Sequence, residues 1–291
     1  MRSSRDLSTL ELSSPQTRGE RIERVSRSTP LRFAVAVLAG WFLAAGLAVG
    51  LWSTLTGAPL VGDASQTAGR VVSTVLLLGF LHRLGWLRLS GIGSFGSRRV
   101  WLIAGVAVVY LVPAYVWGLF GMSGLESLSS SGDAVLRELP VGVSVGIAEE
   151  VLFRGVLVFV LVRAWGTDRT GVLRAVLVTS VLFGLLHATP ALAGEDVGYV
   201  AANLMGTIVS AAWWAALVLA YRTIWPGVVI HALTNSVALA VGAVVPGASL
   251  GSVGPLRVLL VEMPLLIFGS WLLMDERRFP RRSKIPIQGS A

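Results

Sequence analysis

The stretch LPVGVSVGIAEEVLFRGVLVFVLV, residues 139–162, decides how this chain folds. It is apolar or small at nearly every position, and long enough to cross a bilayer core, which takes about 20 residues of helix. Yet it carries Glu149, Glu150 and Arg154 in its middle. An ionisable side chain at that depth costs about 3 kcal/mol or more and is a functional hypothesis by default. The stretch therefore predicts a membrane helix and marks it as the place to look for chemistry.

The rest of the chain agrees. Of 291 residues, 54% are hydrophobic and 14% charged, against about 25% charged in soluble domains. Mean hydropathy is +0.74. The expectation is an all-α, multi-pass protein of the cell membrane. There are no cysteines, which excludes a thiol nucleophile, a disulfide framework and a Cys-ligated metal. The net charge of +8 does not argue for a nucleic-acid partner, because the basic residues cluster at the termini and in alternate loops.

Eight apolar runs are expected to span the bilayer: 31–52, 70–87, 100–120, 137–163, 172–192, 198–221, 224–244 and 256–274. Residues 1–30 are Arg- and Ser-rich and predict a disordered cytoplasmic arm resting on anionic lipid. Residues 31–275 form the membrane domain, with a motif-bearing core at 134–245, and 276–291 form a basic cytoplasmic tail. With the N-terminus inside, 20 of the 24 basic residues fall on the inner side and three (Arg70, Arg137, Arg257) on the outer. That asymmetry puts both termini in the cytoplasm. No internal repeat is visible.

Glu150 and Arg154 are four apart and share a helical face, so they can pair. Glu149 is rotated by about 100° from Glu150 and needs another partner. Two further polar pairs lie in later runs: Phe183 with His187 in VLFGLLHATPA, and His231 with Asn235 in GVVIHALTNSVAL. At about 1.5 Å per residue, Glu149 and His187 lie roughly 21 and 22 Å from the cytoplasmic surface, and His231 with Asn235 roughly 12–18 Å. Helices running in opposite directions thus bring these groups to similar depths. His82 sits among arginines at the end of a run, where an interfacial role is expected.

The three pairs, EEVLFR, FGLLH and HALTN, resemble the EExxxR, FxxxH and HxxxN/D motifs of the CPBP family. That family of intramembrane proteases includes the CAAX prenyl endoproteases and bacteriocin-immunity proteins. The resemblance covers about residues 134–245 and implies hydrolysis of a peptide bond in a membrane protein or peptide substrate. On it, Glu149 is the general base that activates water, His187 shares that water, and His231 with Asn235 stabilises the oxyanion. Glu150 and Arg154 support the helix, and Phe183 packs the wall. Two chemistries stay open. Glu149, His187 and His231 could hold a zinc ion with water in the fourth position, or the glutamate could activate water without metal; the HExxH zinc helix is absent.

Other features weigh less. GMSG at 121–124 resembles the GxSG of rhomboid serine proteases, but Ser123 is expected in a polar outer loop. Glu262 in the last run is expected to be packing polarity. GEDVG (194–198) and VGAVVPGASLGSVGP (241–255) read as outer connections. A different class of function, a non-catalytic scaffold or a proton-coupled transporter, would use the same buried Glu and His set. Substrate identity and oligomeric state leave no mark in the sequence.

Overall fold

A computed structural model describes residues 17–128, 132–189, 191, 194, 197–244 and 255–275. Among these residues there is no strand, and ten α-helices follow one another. They are α1 (Arg18–Ser28), α2 (Pro30–Thr56), α3 (Asp63–Arg83), α4 (Arg98–Leu128), α5 (Gly132–Glu150), α6 (Phe159–Trp165), α7 (Arg169–Leu186), α8 (Val197–Tyr221), α9 (Trp225–Val244) and α10 (Pro255–Met274). A π-helical stretch, Val151–Val158, joins α5 to α6. Among the described residues five helices are long and apolar enough to cross a membrane: α2, α3, α7, the Val200–Tyr221 part of α8, and α9. Side chains that a soluble protein would hide are exposed along them. Leu43, Leu47, Leu51 and Leu55 make a stripe down α2 at four-residue spacing, the face expected to meet lipid.

Several boundaries differ from those expected. The second half of the N-terminal arm is helical rather than disordered. Thr17 and Glu20 form a reciprocal capping box that starts α1, and Glu23 then pairs with Arg163 at the end of α6. Residues 1–16 and the tail 276–291 lie outside the described residues, as do most of the 241–255 connection and much of GEDVG. Helix α3 begins at Asp63, so Arg70 lies inside the helix and not in an outer loop. The third run continues to Leu128 across a non-helical Gly121, φ 66° and ψ −151°. Ser123 is therefore in a helical turn beyond a kink, where a loop was expected. His82 is exposed in the last turn of α3.

The centre of the fold is the antiparallel pair α5 and α9. A Cβ on Gly142 would stand 2.0 Å from Ser236 Oγ and 2.6 Å from the Ala232 carbonyl. One turn on, a Cβ on Gly146 would stand 2.9 Å from the Val228 carbonyl and the Ala232 nitrogen. These glycines let the two backbones touch, as small residues four apart do in membrane helices. The next step of the same register, residue 150, brings a glutamate against Gly227, whose own Cβ would lie 3.1 Å from Glu150 Oε2. Helix contact and site are thus set by one spacing.

Gly142→Val should be strongly destabilising, by about 1–3 kcal/mol or more, since the added carbons meet backbone that cannot move aside. Gly40→Ala on α2, where nothing lies within 4 Å, should leave the unfolding midpoint in detergent unchanged. Equal midpoints for the two variants would contradict this account of the contact.

Candidate active site

The site is assembled from four helical elements. Glu149 and Glu150 end α5, Arg154 comes from the π-helical stretch, Phe183 and His187 from the end of α7, and His231 from the first half of α9. Single turns of π-helix inside longer helices recur at functional sites. In this chain the wider turn begins directly after the glutamate pair.

Glu150 is fully buried, and its Oε1 is the hub. Arg154 Nη1 lies 3.1 Å from it and His231 Nδ1 also 3.1 Å. The Arg154 approach has the distance of an ion pair without the alignment of a hydrogen bond. Its charge is met instead by aromatic rings, with Cζ 4.4 Å from the Phe183 centroid, 4.9 Å from Trp214 and 5.9 Å from Phe153. A desolvated cation–π contact of this kind contributes about 2 kcal/mol.

Glu149 turns away from Arg154 toward both histidines. Its Oε2 lies 3.8 Å from His187 Nε2 and 3.7 Å from His231 Nε2, and makes no hydrogen bond to protein. The far side of each ring is engaged. His187 Nδ1 donates to the Phe183 carbonyl at 2.9 Å, an atom that can only accept, and His231 Nδ1 donates to the Glu150 carboxylate. In the neutral rings both Nε2 atoms therefore carry lone pairs aimed at Glu149. Trp214 stacks on His231 with centroids 4.5 Å apart, and Phe183 on His187 at 4.4 Å. A cavity of about 490 Å³ reaches this place. Glu149, Phe153, Phe183 and His187 form one wall, and Trp41 and Phe42 of α2 are on another.

Of the residues singled out in the sequence, Glu149, Glu150, Arg154, Phe183, His187 and His231 come together. Asn235 stands one turn beyond His231 on α9, half-buried. Neither it nor His231 lines the cavity. Ser123 does not line it either, and Glu262 is buried on α10, hydrogen-bonded to Ser210 of α8.

Residues 132–237 match the family model described as type II CAAX prenyl endopeptidase Rce1-like. The motif-bearing core is Rce1-like. No curated protein and no solved structure matches the chain. The Rce1-like segment contains every site residue above, Asn235 included, and leaves α1 to α4 and α10 outside. The match implies a protease, and together with the apolar helices it points to an integral, multi-pass membrane protein.

A zinc ion bound by Glu149, His187 and His231 would need tighter donors. Tetrahedral bonds of 2.0–2.1 Å put neighbouring donor atoms about 3.3 Å apart, and the carboxylate stands 3.7 and 3.8 Å from the two nitrogens. Among the described residues no group of three or more His, Asp or Glu side chains is arranged to hold a metal ion. The donors do not fit as placed.

Three contributors escaped the sequence reading. Asn203 of α8 donates from Nδ2 to the His187 carbonyl at 2.9 Å, satisfying an open carbonyl where α7 ends and fixing the turn that carries the imidazole. An amide inside the apolar run VAANLMG was a usable signal. Trp214 is one of two adjacent tryptophans, and nothing in the sequence separates it from core filling. Arg70 lines the cavity from α3 and was hidden by the misplaced start of that helix.

Arg154→Ala should cost about 3–5 kcal/mol by stranding a buried carboxylate. Glu150→Gln combined with Arg154→Met should recover part of that loss. Thermal unfolding of the three purified proteins in one detergent checks both, and a double variant no better than Arg154→Ala would contradict the pairing.

Proposed function

We propose that this protein is an intramembrane endopeptidase that hydrolyses a peptide bond of an apolar, membrane-borne substrate, with water activated by Glu149. The observation that carries the reading is the meeting of Glu149 Oε2 with the Nε2 atoms of His187 and His231, beside a cavity large enough for a short peptide. Three acceptors face one another, and a water molecule is the smallest group that offers them two protons.

The roles follow from position. The water oxygen bonds to the substrate carbonyl carbon while Glu149 takes one proton and His187 Nε2 holds the other hydrogen. The carbonyl oxygen becomes an oxyanion, received by His231 in its doubly protonated form and by the amide of Asn235, one turn apart on α9. The carbonyl must pass beside Glu149 to reach them, since neither lines the cavity. The carbon–nitrogen bond then breaks, and Glu149 returns its proton to the leaving nitrogen. Glu150 and Arg154 hold the histidine and the helix, and Phe183 walls the chamber. In the bilayer, α2, α3, α4, the joined α5–α6 helix and α7 to α10 make eight crossings. The basic residues then put both termini in the cytoplasm.

Glu149→Ala should lower cleavage by roughly 10²–10⁴-fold, the contribution of a positioned base, with an unchanged unfolding midpoint. The check is a comparison of membrane-protein termini in cells carrying either form. A fragment set identical in both would overturn the assignment. With a purified protein, activity should survive dialysis against 1,10-phenanthroline. Loss on dialysis and recovery with zinc would show that a metal, and not the carboxylate alone, activates the water.

A further inference from the structure

Arg70 is a cation without a counterion in the same cavity as the proposed base. Its side chain is half-buried and lines the cavity with Glu149 and His187. It makes one long hydrogen bond, from Nη1 to Ser144 Oγ at 3.5 Å. That hydroxyl donates its own proton to the Val141 carbonyl at 2.8 Å. Among the described residues no carboxylate lies within 4 Å of Arg70; Glu149 and Asp63 act on it only at longer range. A guanidinium has five donors in a planar fork suited to a carboxylate. Removed in part from water with one weak acceptor, it leaves that capacity unused.

Its place relative to the reaction is fixed by α5. Ser144 precedes Glu149 by five residues, about 7.5 Å of helix rise, so the cation and the base sit along one wall at different depths. That interval matches about two residues of extended chain. Trp41, Phe42 and Val49 of α2 make the facing surface apolar.

We infer that Arg70 is a specificity-determining residue that binds a carboxylate of the substrate, about two residues from the bond that is cut. The inference rests on the endopeptidase reading and names the chemistry its substrate must carry. The carboxylate is the free C-terminus of the substrate or the side chain of an acidic residue near the bond.

The test uses the full chain in nanodiscs, in a Glu149→Gln background so that binding is read without cleavage. Three forms of one farnesylated CAAX peptide serve as probes: the free acid, the C-terminal amide, and the amide with Asp as its last residue. The expected result is that the free acid binds roughly tenfold tighter than the amide, as a charge-assisted pair gives. The ratio should fall to about one in Arg70→Ala and be partly kept in Arg70→Lys. The Asp-bearing amide recovering the affinity would assign the site to side-chain carboxylates, and its failure to do so would assign it to the C-terminus. Equal affinity of all three peptides, including none detectable, would overturn the inference, as would an acid preference that survives Arg70→Ala. A helix-packing role for Arg70 would not move this ratio. Cleavage of the same peptides by the unaltered protein, and its loss in Glu149→Ala, reports separately on the endopeptidase reading.

Discussion

A single carboxylate oxygen, Glu150 Oε1, ties together the three segments on which the site depends. It touches the guanidinium of Arg154 on its own helix and the imidazole of His231 on α9, each at 3.1 Å. Two buried charges are costly to desolvate, and such a pair holds only when its remaining valences are met. The rings of Phe183 and Trp214 meet those of Arg154, and His231 shares those of Glu150. The arrangement therefore fixes the imidazole's orientation and leaves its Nε2 free for Glu149. Breaking any member would leave another stranded in the interior.

The glycine contact between α5 and α9 makes this arrangement reachable. Without Gly142 and Gly146 the helices would stand apart by the width of side chains, and a 3.1 Å contact between residues 81 positions apart could not form. The close pair is rigid and central. Helix α2, by contrast, packs mainly on α3, and its apolar face looks outward. The cavity thus has a fixed wall that bears the reactive groups and an opposite wall made by a peripheral helix.

Much of this was legible in the residues themselves. The apolar runs announced helices, and the charged residues in the middle of one announced the site. The four-residue spacing of Glu150 and Arg154 gave their pairing, because wound backbone places such neighbours on one face whether the turn is α or π. What stayed hidden depended on tertiary approach. Trp214 is important because of the ring and the guanidinium beside it, neither of which its local sequence mentions. Arg70 was misplaced because hydropathy alone began its helix at the arginine, whereas the helix starts nearly two turns earlier with the polar residues Asp63, Ser65 and Gln66. Buried Ser65 contributes to packing there despite its polarity. Helix α1 was missed because a capping box can start a helix whose composition otherwise reads as disorder.

The π-helical stretch carries a consequence for how the protein can vary. Its backbone bonds reach one residue further than those of an α-helix, so the segments on either side are out of phase with a continuous α-helix. Removing one residue between Val151 and Val158 would let ordinary winding resume, and would turn α6 by about 100° relative to the glutamates. Arg163, which α6 presents to Glu23, would then point elsewhere. The long helix is thus intolerant of single-residue gain or loss at that stretch, however conservative the chemistry, and related chains should differ there by substitution and not by length.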